Sequence, residues 1–209
     1  PDAEVVFRLV ASIPTVSPVC VRNRAILETL LSTGLRREEF LQLELGDVRL
    51  RDRTIMVRAG KGNKDRVVLL SSRARKALAK YIEEARPLLA KGLPGQEAWA
   101  EHAKKNGRPA GRVLWLAAHG GALAVPTLNL LFRHWSEDLG RPFYPHLLRH
   151  CFAVHLLRKG ADIRHVQMLL GHSALDTTKV YLRLVMEDYK RAYDRAFPAI
   201  RIAPRLLAG

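Results

Sequence analysis

The stretch LLGHSALDTTKVYLRL, Leu169–Leu184, places a single tyrosine nine residues beyond a Gly-His pair and just after Thr-Thr-Lys-Val. A phenol with a pKa of about 10 is a poor nucleophile near neutrality. If Tyr181 acts chemically, the rest of the chain has to supply a strongly cationic setting around it.

The composition supplies the cations. Lys and Arg total 35 against 20 Asp and Glu, for a net charge of +15 over 209 residues. The excess is clustered: residues 49–76 hold Arg49, Arg51, Arg53, Arg58, Lys61, Lys64, Arg66, Arg73, Arg75 and Lys76 against only Asp52 and Asp65. Such clustering is the footprint of a polyanion whose counterions are released on binding, although a solvated basic face kept for solubility would look similar. A membrane is a poorer fit, because no basic amphipathic helix with an aromatic face and no run of 18 apolar residues occurs. No signal-peptide layout is present, so a cytoplasmic, nucleoid-associated protein is expected. Cys20 and Cys151 are isolated thiols without CxxC spacing, which argues against a disulfide framework or a zinc site.

Periodicity predicts an α+β domain, mostly helical, with a small antiparallel sheet near the N-terminal third. Val21, Ala25, Ile26, Leu27, Leu30 and Leu31 share one helical face, with Gly34 as a stop. REEFLQLEL starts a second short helix. The pattern then alternates, with Ile55 and Val57 in one strand, Val67–Leu70 in the next, and a Gly-Lys-Gly-Asn-Lys-Asp tip between them. Ser71 and Ser72 are suited to cap a helix carrying Ala74, Leu78, Ile82 and Ala85, which is expected to end near Pro87. A Gly-, Pro- and charge-rich region follows, with a short helix at 97–105, and RVLWLAA reads as a lone strand or extended stretch. From Pro126 the chain reads as helical, with further helices at 146–159, 162–170 and 177–194.

Three short segments join the tyrosine. PHLLRHCFAVHLLRKG sets His146 and Arg149 three residues apart on one helical face. STGLRREEF fixes Arg36 at a helix start after a Thr-Gly turn, where a guanidinium fork meets a phosphate with the helix dipole behind it. AGKGNKDR carries Lys61 on a glycine-flanked tip, but it lacks GxxxxGK[ST] spacing and is no P-loop. Each is weak alone, since a surface ion pair, an exposed arginine after a helix stop and a plain turn would look the same.

In order, TGLRxxE, the hairpin GKGNK, HLLRHxFAxHLL and LLGHSxxxTTxxY resemble the tyrosine recombinases of the phage integrase family, including its Xer-like members, from about Val21 to Pro198. The resemblance implies six catalytic residues: the arginines Arg36 and Arg149, the hairpin lysine Lys61, the histidines His146 and His172, and the nucleophile Tyr181. Arg58, Lys64 and Arg66 are expected to bind DNA beside them. Phe40, Val154 and Ala174 depart from residues common in the family, at sites that read as structural.

The implied reaction is site-specific DNA strand cleavage and rejoining through a 3′-phosphotyrosyl link, with no cofactor and no metal. Two arginines would stabilise charge growing on the phosphate oxygens, His146 would help take the phenol proton, and Lys61 would protonate the 5′-oxygen. The partners implied are double-stranded DNA and a homo-tetramer, or a related recombinase, on synapsed DNA, with a monomer or weak dimer in its absence. A type IB topoisomerase shares this chemistry, and a catalytically silent DNA-binding relative is the other alternative. The remaining histidines have no assigned role.

The expected layout is a linker over 1–20, a catalytic domain over 21–185 with a surface insertion at 91–112, and a C-terminal helix and tail over 186–209. PDAEVVFRLVASIP resembles the approach to the catalytic domain, so the family's N-terminal core-binding domain is expected to be absent, the chain being a fragment or, as the alternative, a naturally minimal protein. Tyr189, Ala192, Tyr193 and Ala196 share a helical face in the tail, which therefore needs a groove.

Overall fold

A computed structural model of the chain describes residues 3–58, 65–95, 111–170, 190, 191, 193–195 and 197. The hairpin tip, the helix expected at 97–105, most of the insertion and most of 177–194 lie outside the described residues.

Helix α1 (Ala3–Ser12) leads into α2 (Pro18–Thr33). Ser17 starts α2 by accepting the Cys20 N–H at 3.2 Å, and Pro18 follows with the φ a first helical turn requires. Gly34 stops it: its φ of 61° is left-handed, and its N–H donates to the Leu30 carbonyl at 3.0 Å. A single buried face was expected on α2, yet residues 25–33 are buried all round. The helix tolerates this because most of its buried polar side chains have partners, the Thr29 hydroxyl being the exception. Glu28 receives Arg73 at 2.9 Å, the Ser32 hydroxyl accepts the Ser71 N–H at 2.8 Å, and the Thr33 hydroxyl donates to the Thr29 carbonyl at 2.7 Å. Helix α2 is thus the central post of the domain.

Helix α3 (Arg37–Gln42) and a 3-10 turn (Leu45–Asp47) lead to an antiparallel sheet of β1 (Val48–Arg49), β2 (Thr54–Val57) and β3 (Arg66–Leu69), in the order β1-β2-β3. The register sets Thr54 opposite Leu69 and Val57 opposite Arg66. Ile55 and Val57 are buried while Thr54 and Met56 are half-buried, the alternation a sheet with one covered face demands.

Ser71 caps α4 (Ser72–Lys80) through the Ala74 N–H at 3.1 Å, as its position predicts. The helix does not end near Pro87. It widens into one π turn (Tyr81–Ala85) and continues as α5 (Arg86–Ala90). The Arg86 N–H reaches back five residues to the Tyr81 carbonyl. This wider turn brings Pro87 in at the first positions of a new helical segment, where a missing N–H and a fixed φ cost little.

Residues 113–117 cross the core as an extended stretch with only isolated bridges, Glu44 to Val113 and Leu116 to Ala122. A buried backbone without a sheet needs other partners. Arg86 donates to the Val113 carbonyl at 2.6 Å, the Tyr81 hydroxyl to the Leu114 carbonyl at 2.9 Å, and Arg22 to the Leu116 carbonyl at 3.0 Å. Trp115 lies between Phe40 and Tyr81, with ring centroids 4.7 and 5.1 Å away. Helices α6 (Val125–Leu139), α7 (Pro145–Arg158) and α8 (Ile163–Leu170) complete the helical layer. Among the described residues no helix is long and apolar enough to cross a membrane.

The tail residues described here return to the same domain. The Tyr193 hydroxyl bonds to the hydroxyl and carbonyl of Ser32, and Asp194 pairs with Arg53 at 2.6 Å. Phe197 is buried against Tyr193, Phe152, His155 and Phe7.

Two glycines with the same left-handed φ test how α2 meets α7. A Cβ on Gly34 would lie 2.6 Å from the Phe152 ring, whereas one on Gly140 meets nothing within 4 Å. Gly140→Ala should cost about 1 kcal/mol, the backbone term alone. Gly34→Ala should cost about 2–4 kcal/mol, because overpacking adds to it. Urea unfolding of both variants checks the gap.

Candidate active site

Gly34 ends α2 and turns the chain so that Arg36 becomes the residue just before α3. Its backbone is extended there, and its N–H donates to the Glu39 carboxylate at 2.9 Å. The Arg36 guanidinium donates to the other oxygen of the same carboxylate at 3.1 Å, and its side chain is 39% exposed. Glu39 therefore closes the first turn of α3 and braces the arginine above it.

The opposite side of Glu39 is held by Arg66, the first residue of β3. Its two terminal nitrogens take the two carboxylate oxygens at 2.9 and 2.7 Å, a fork-on-fork pairing. Its Nε donates to the Leu169 carbonyl at 3.2 Å. Burial pushes the Glu39 carboxyl up, but the Arg66 fork and the Arg36 N–H and guanidinium outweigh it, and the group is held at about 2. Glu39 is a fixed anion throughout the neutral range.

Arg149 rises from the second turn of α7. Its guanidinium donates to the Gly34 carbonyl at 2.7 Å and to the Leu170 carbonyl at 2.6 Å, so it ties the end of α2 to the end of α8. Burial, with Arg36 and Arg66 nearby, lowers this guanidinium to about 10, and it remains a cation near neutrality. His146 lies one turn earlier on the same helix and is exposed. No side chain caps the α7 N-terminus beside it, so the positive end of the helix dipole faces the same side.

The structure thus brings Arg36 and Arg149 into one electrostatic site, with His146 one turn of α7 from Arg149. Lys61, Lys64, His172 and Tyr181 lie outside the described residues. The two expected DNA contacts that are described sit differently from one another. Arg58 is 65% exposed and pairs with buried Asp47 at 2.8 Å. Arg66 was expected to face DNA, but its side chain is only 12% exposed and its fork points inward onto Glu39. A basic residue two positions beyond Lys64 carries no sequence mark of direction when its partner lies on another element. Glu39 closes the TGLRxxE segment but was given no role, although a glutamate three residues after a helix-start position is a readable capping signal.

The model of the phage integrase family matches residues 2–188. Tyrosine recombinase XerC of Bifidobacterium longum (strain DJO10A) is 40% identical over 178 residues, which cover 85% of this chain and 47% of that protein. Tyrosine recombinase XerD of Listeria monocytogenes serotype 4b (strain F2365) is 35% identical, covering 92% of this chain and 60% of its own length. The crystal structure of XerA recombinase superposes with a TM-score of 0.64 at 26% identity, over 91% of this chain and 64% of that one. The XerH site-specific recombinase bound to its difH substrate in a pre-cleavage complex gives a TM-score of 0.61 at 26% identity, over 90% and 50%. The chain spans roughly half to two thirds of the length of these relatives.

The Glu39 carboxyl sits below its unfolded value of 4.5. A depressed acid contributes stability above the unfolded pKa and loses it as pH falls through the folded one. Glu39→Gln should therefore melt below the native chain at pH 7, and the difference should shrink as pH drops from about 4.5 toward 2. Thermal melts across that range read it directly.

Proposed function

The chain belongs to the phage integrase family, and from that premise we propose that it breaks and rejoins DNA strands as the catalytic part of a tyrosine site-specific recombinase. The observation that carries the reading is the pair of arginines, Arg36 and Arg149, each held by its own scaffold and close enough to lower the pKa of one of them. Two like charges repel, so holding them together favours a ligand with at least two negative oxygens.

The chemistry follows from that site. The Tyr181 oxygen attacks phosphorus, the bond from phosphorus to the 5′-oxygen breaks, and the 3′-phosphotyrosyl ester forms. Negative charge grows on the non-bridging oxygens, where Arg36 and Arg149 bind the transition state more tightly than the ground state. His146, exposed at the first turn of α7, takes or relays the phenol proton, and His172 donates to a phosphate oxygen. Lys61 gives a proton to the departing 5′-hydroxyl, which would otherwise leave as a costly alkoxide. The ester preserves the energy of the broken bond, so a second 5′-hydroxyl can reverse the step.

Double-stranded DNA is the partner that this chemistry and the charge excess imply, with Arg58 and Lys64 contributing phosphate contacts. Assembly on synapsed DNA as a tetramer completes the reading.

Tyr181 should be the only covalent attachment point. A nicked suicide duplex, followed by peptide mapping, should find DNA on Tyr181 and none in Tyr181→Phe; a link through Tyr144 or Tyr189 would overturn the assignment. Binding without any adduct would favour a silent DNA-binding relative, and supercoil relaxation without recombination a topoisomerase.

Lys61→Ala should slow cleavage about 10²–10⁴-fold, the scale of a lost general acid, with binding nearly unchanged. A duplex with 5′-bridging sulfur, whose thiolate leaves without a proton, should restore most of the rate.

A further inference from the structure

Resting on the reading above, we infer that Arg66 is a positioning residue for the reaction, which sets Arg36 through Glu39 and fixes the end of α8 from which the chain runs on to His172 and Tyr181. Three elements meet at its guanidinium. It stands at the first residue of β3, paired across the sheet with Val57. Its fork covers both oxygens of Glu39, the carboxylate that also holds the N–H and guanidinium of Arg36. Its Nε holds the Leu169 carbonyl, next to the Leu170 carbonyl held by Arg149.

The geometry separates this role from two simpler ones. A phosphate contact needs its donors facing outward, whereas these three point inward from a side chain that is 12% exposed. A surface ion pair contributes little and tolerates slack. This pair is bidentate and is shared with Arg36 and with the main chain, so its direction matters as well as its charge. Cations beside carbonyls at the C-terminal side of a helix oppose its dipole. Arg66 and Arg149 do so side by side, and the hairpin strand, the first arginine and the nucleophile's approach share one anchor.

The test uses Arg66→Lys, which keeps the charge and loses the fork, alongside Arg66→Gln. In the DNA-free protein, amide hydrogen exchange should quicken at the Arg36 N–H, which bonds Glu39, by about tenfold or more relative to the core amide of Ile26, since local opening is reported site by site. In single-turnover adduct formation with saturating suicide duplex, both variants should be slower by about 10–100-fold, the scale of a small misplacement of reacting groups. The duplex concentration giving half-maximal rate should stay put, and the 5′-bridging sulfur substrate should not restore the rate, because the lost element is not the leaving-group proton.

Native rates in Arg66→Lys would reduce the role to charge alone and overturn the inference. So would unchanged Arg36 exchange, a defect that vanishes at saturating DNA, or full recovery with sulfur, which would make Arg66 a support for Lys61. If the native chain itself forms no Tyr181 adduct, the recombinase reading fails, and the exchange measurement still decides whether Arg66 holds Arg36.

Discussion

One carboxylate organises the site. Glu39 accepts from Arg36 and from Arg66, and it lies inside a field that also contains Arg149. Three guanidinium groups gathered without an anion would repel one another and lose solvation together. A single ionised acid beneath them offsets part of that repulsion, fixes the direction of two of the forks, and leaves the cluster as a whole short of negative charge. A site built this way keeps a net positive charge after its internal ion pairs are made. The arrangement depends on Gly34, because only a left-handed residue packed under Phe152 can end α2 and release Arg36 at the start of α3 within so few residues.

The helical skeleton was legible because its punctuation is local. Gly34 and Ser71 mark ends through a φ value or a bond that involves neighbours a few residues away. The placement of Arg36 before α3 and of His146 and Arg149 one turn apart on α7 was legible for a related reason, since it is set by a turn and a helix pitch. Two features were hidden. Pro87 reads as a stop, and only the π turn upstream, which packs Tyr81 and Ala85 into the core, lets the helix run on. The all-round burial of α2 depends on Arg73, Ser71 and the other elements wrapped around it, and periodicity within the helix carries no record of them.

Charge counting had the same blind spot. The basic segment 49–76 led to the expectation of a polyanion partner, but its cations do not all face outward. Arg53 donates to the Leu70 carbonyl and Asp194, Arg66 to Glu39 and the Leu169 carbonyl, and Arg73 to Glu28. Apart from Leu70, which follows β3, those partners come from α2, α3, α8 and the tail. Net charge speaks to a class of partner and is a poor guide to which side chains face outward.

The tail contact joins the two ends of the sequence, with the Phe7 and Phe197 rings 6.3 Å apart. Socket and occupant belong to one chain, so Tyr193, Asp194 and Phe197 meet their partners in an intramolecular step. Covalent connection gives such a step an effective concentration that does not depend on how much protein is in solution. A competing segment free in dilute solution therefore does not displace the tail. Only a competitor held nearby at comparable local concentration can do so. Because α1 forms one wall through Phe7, whatever shifts the front of the chain alters the socket's affinity, and the occupancy of the tail reports the position of the first helix.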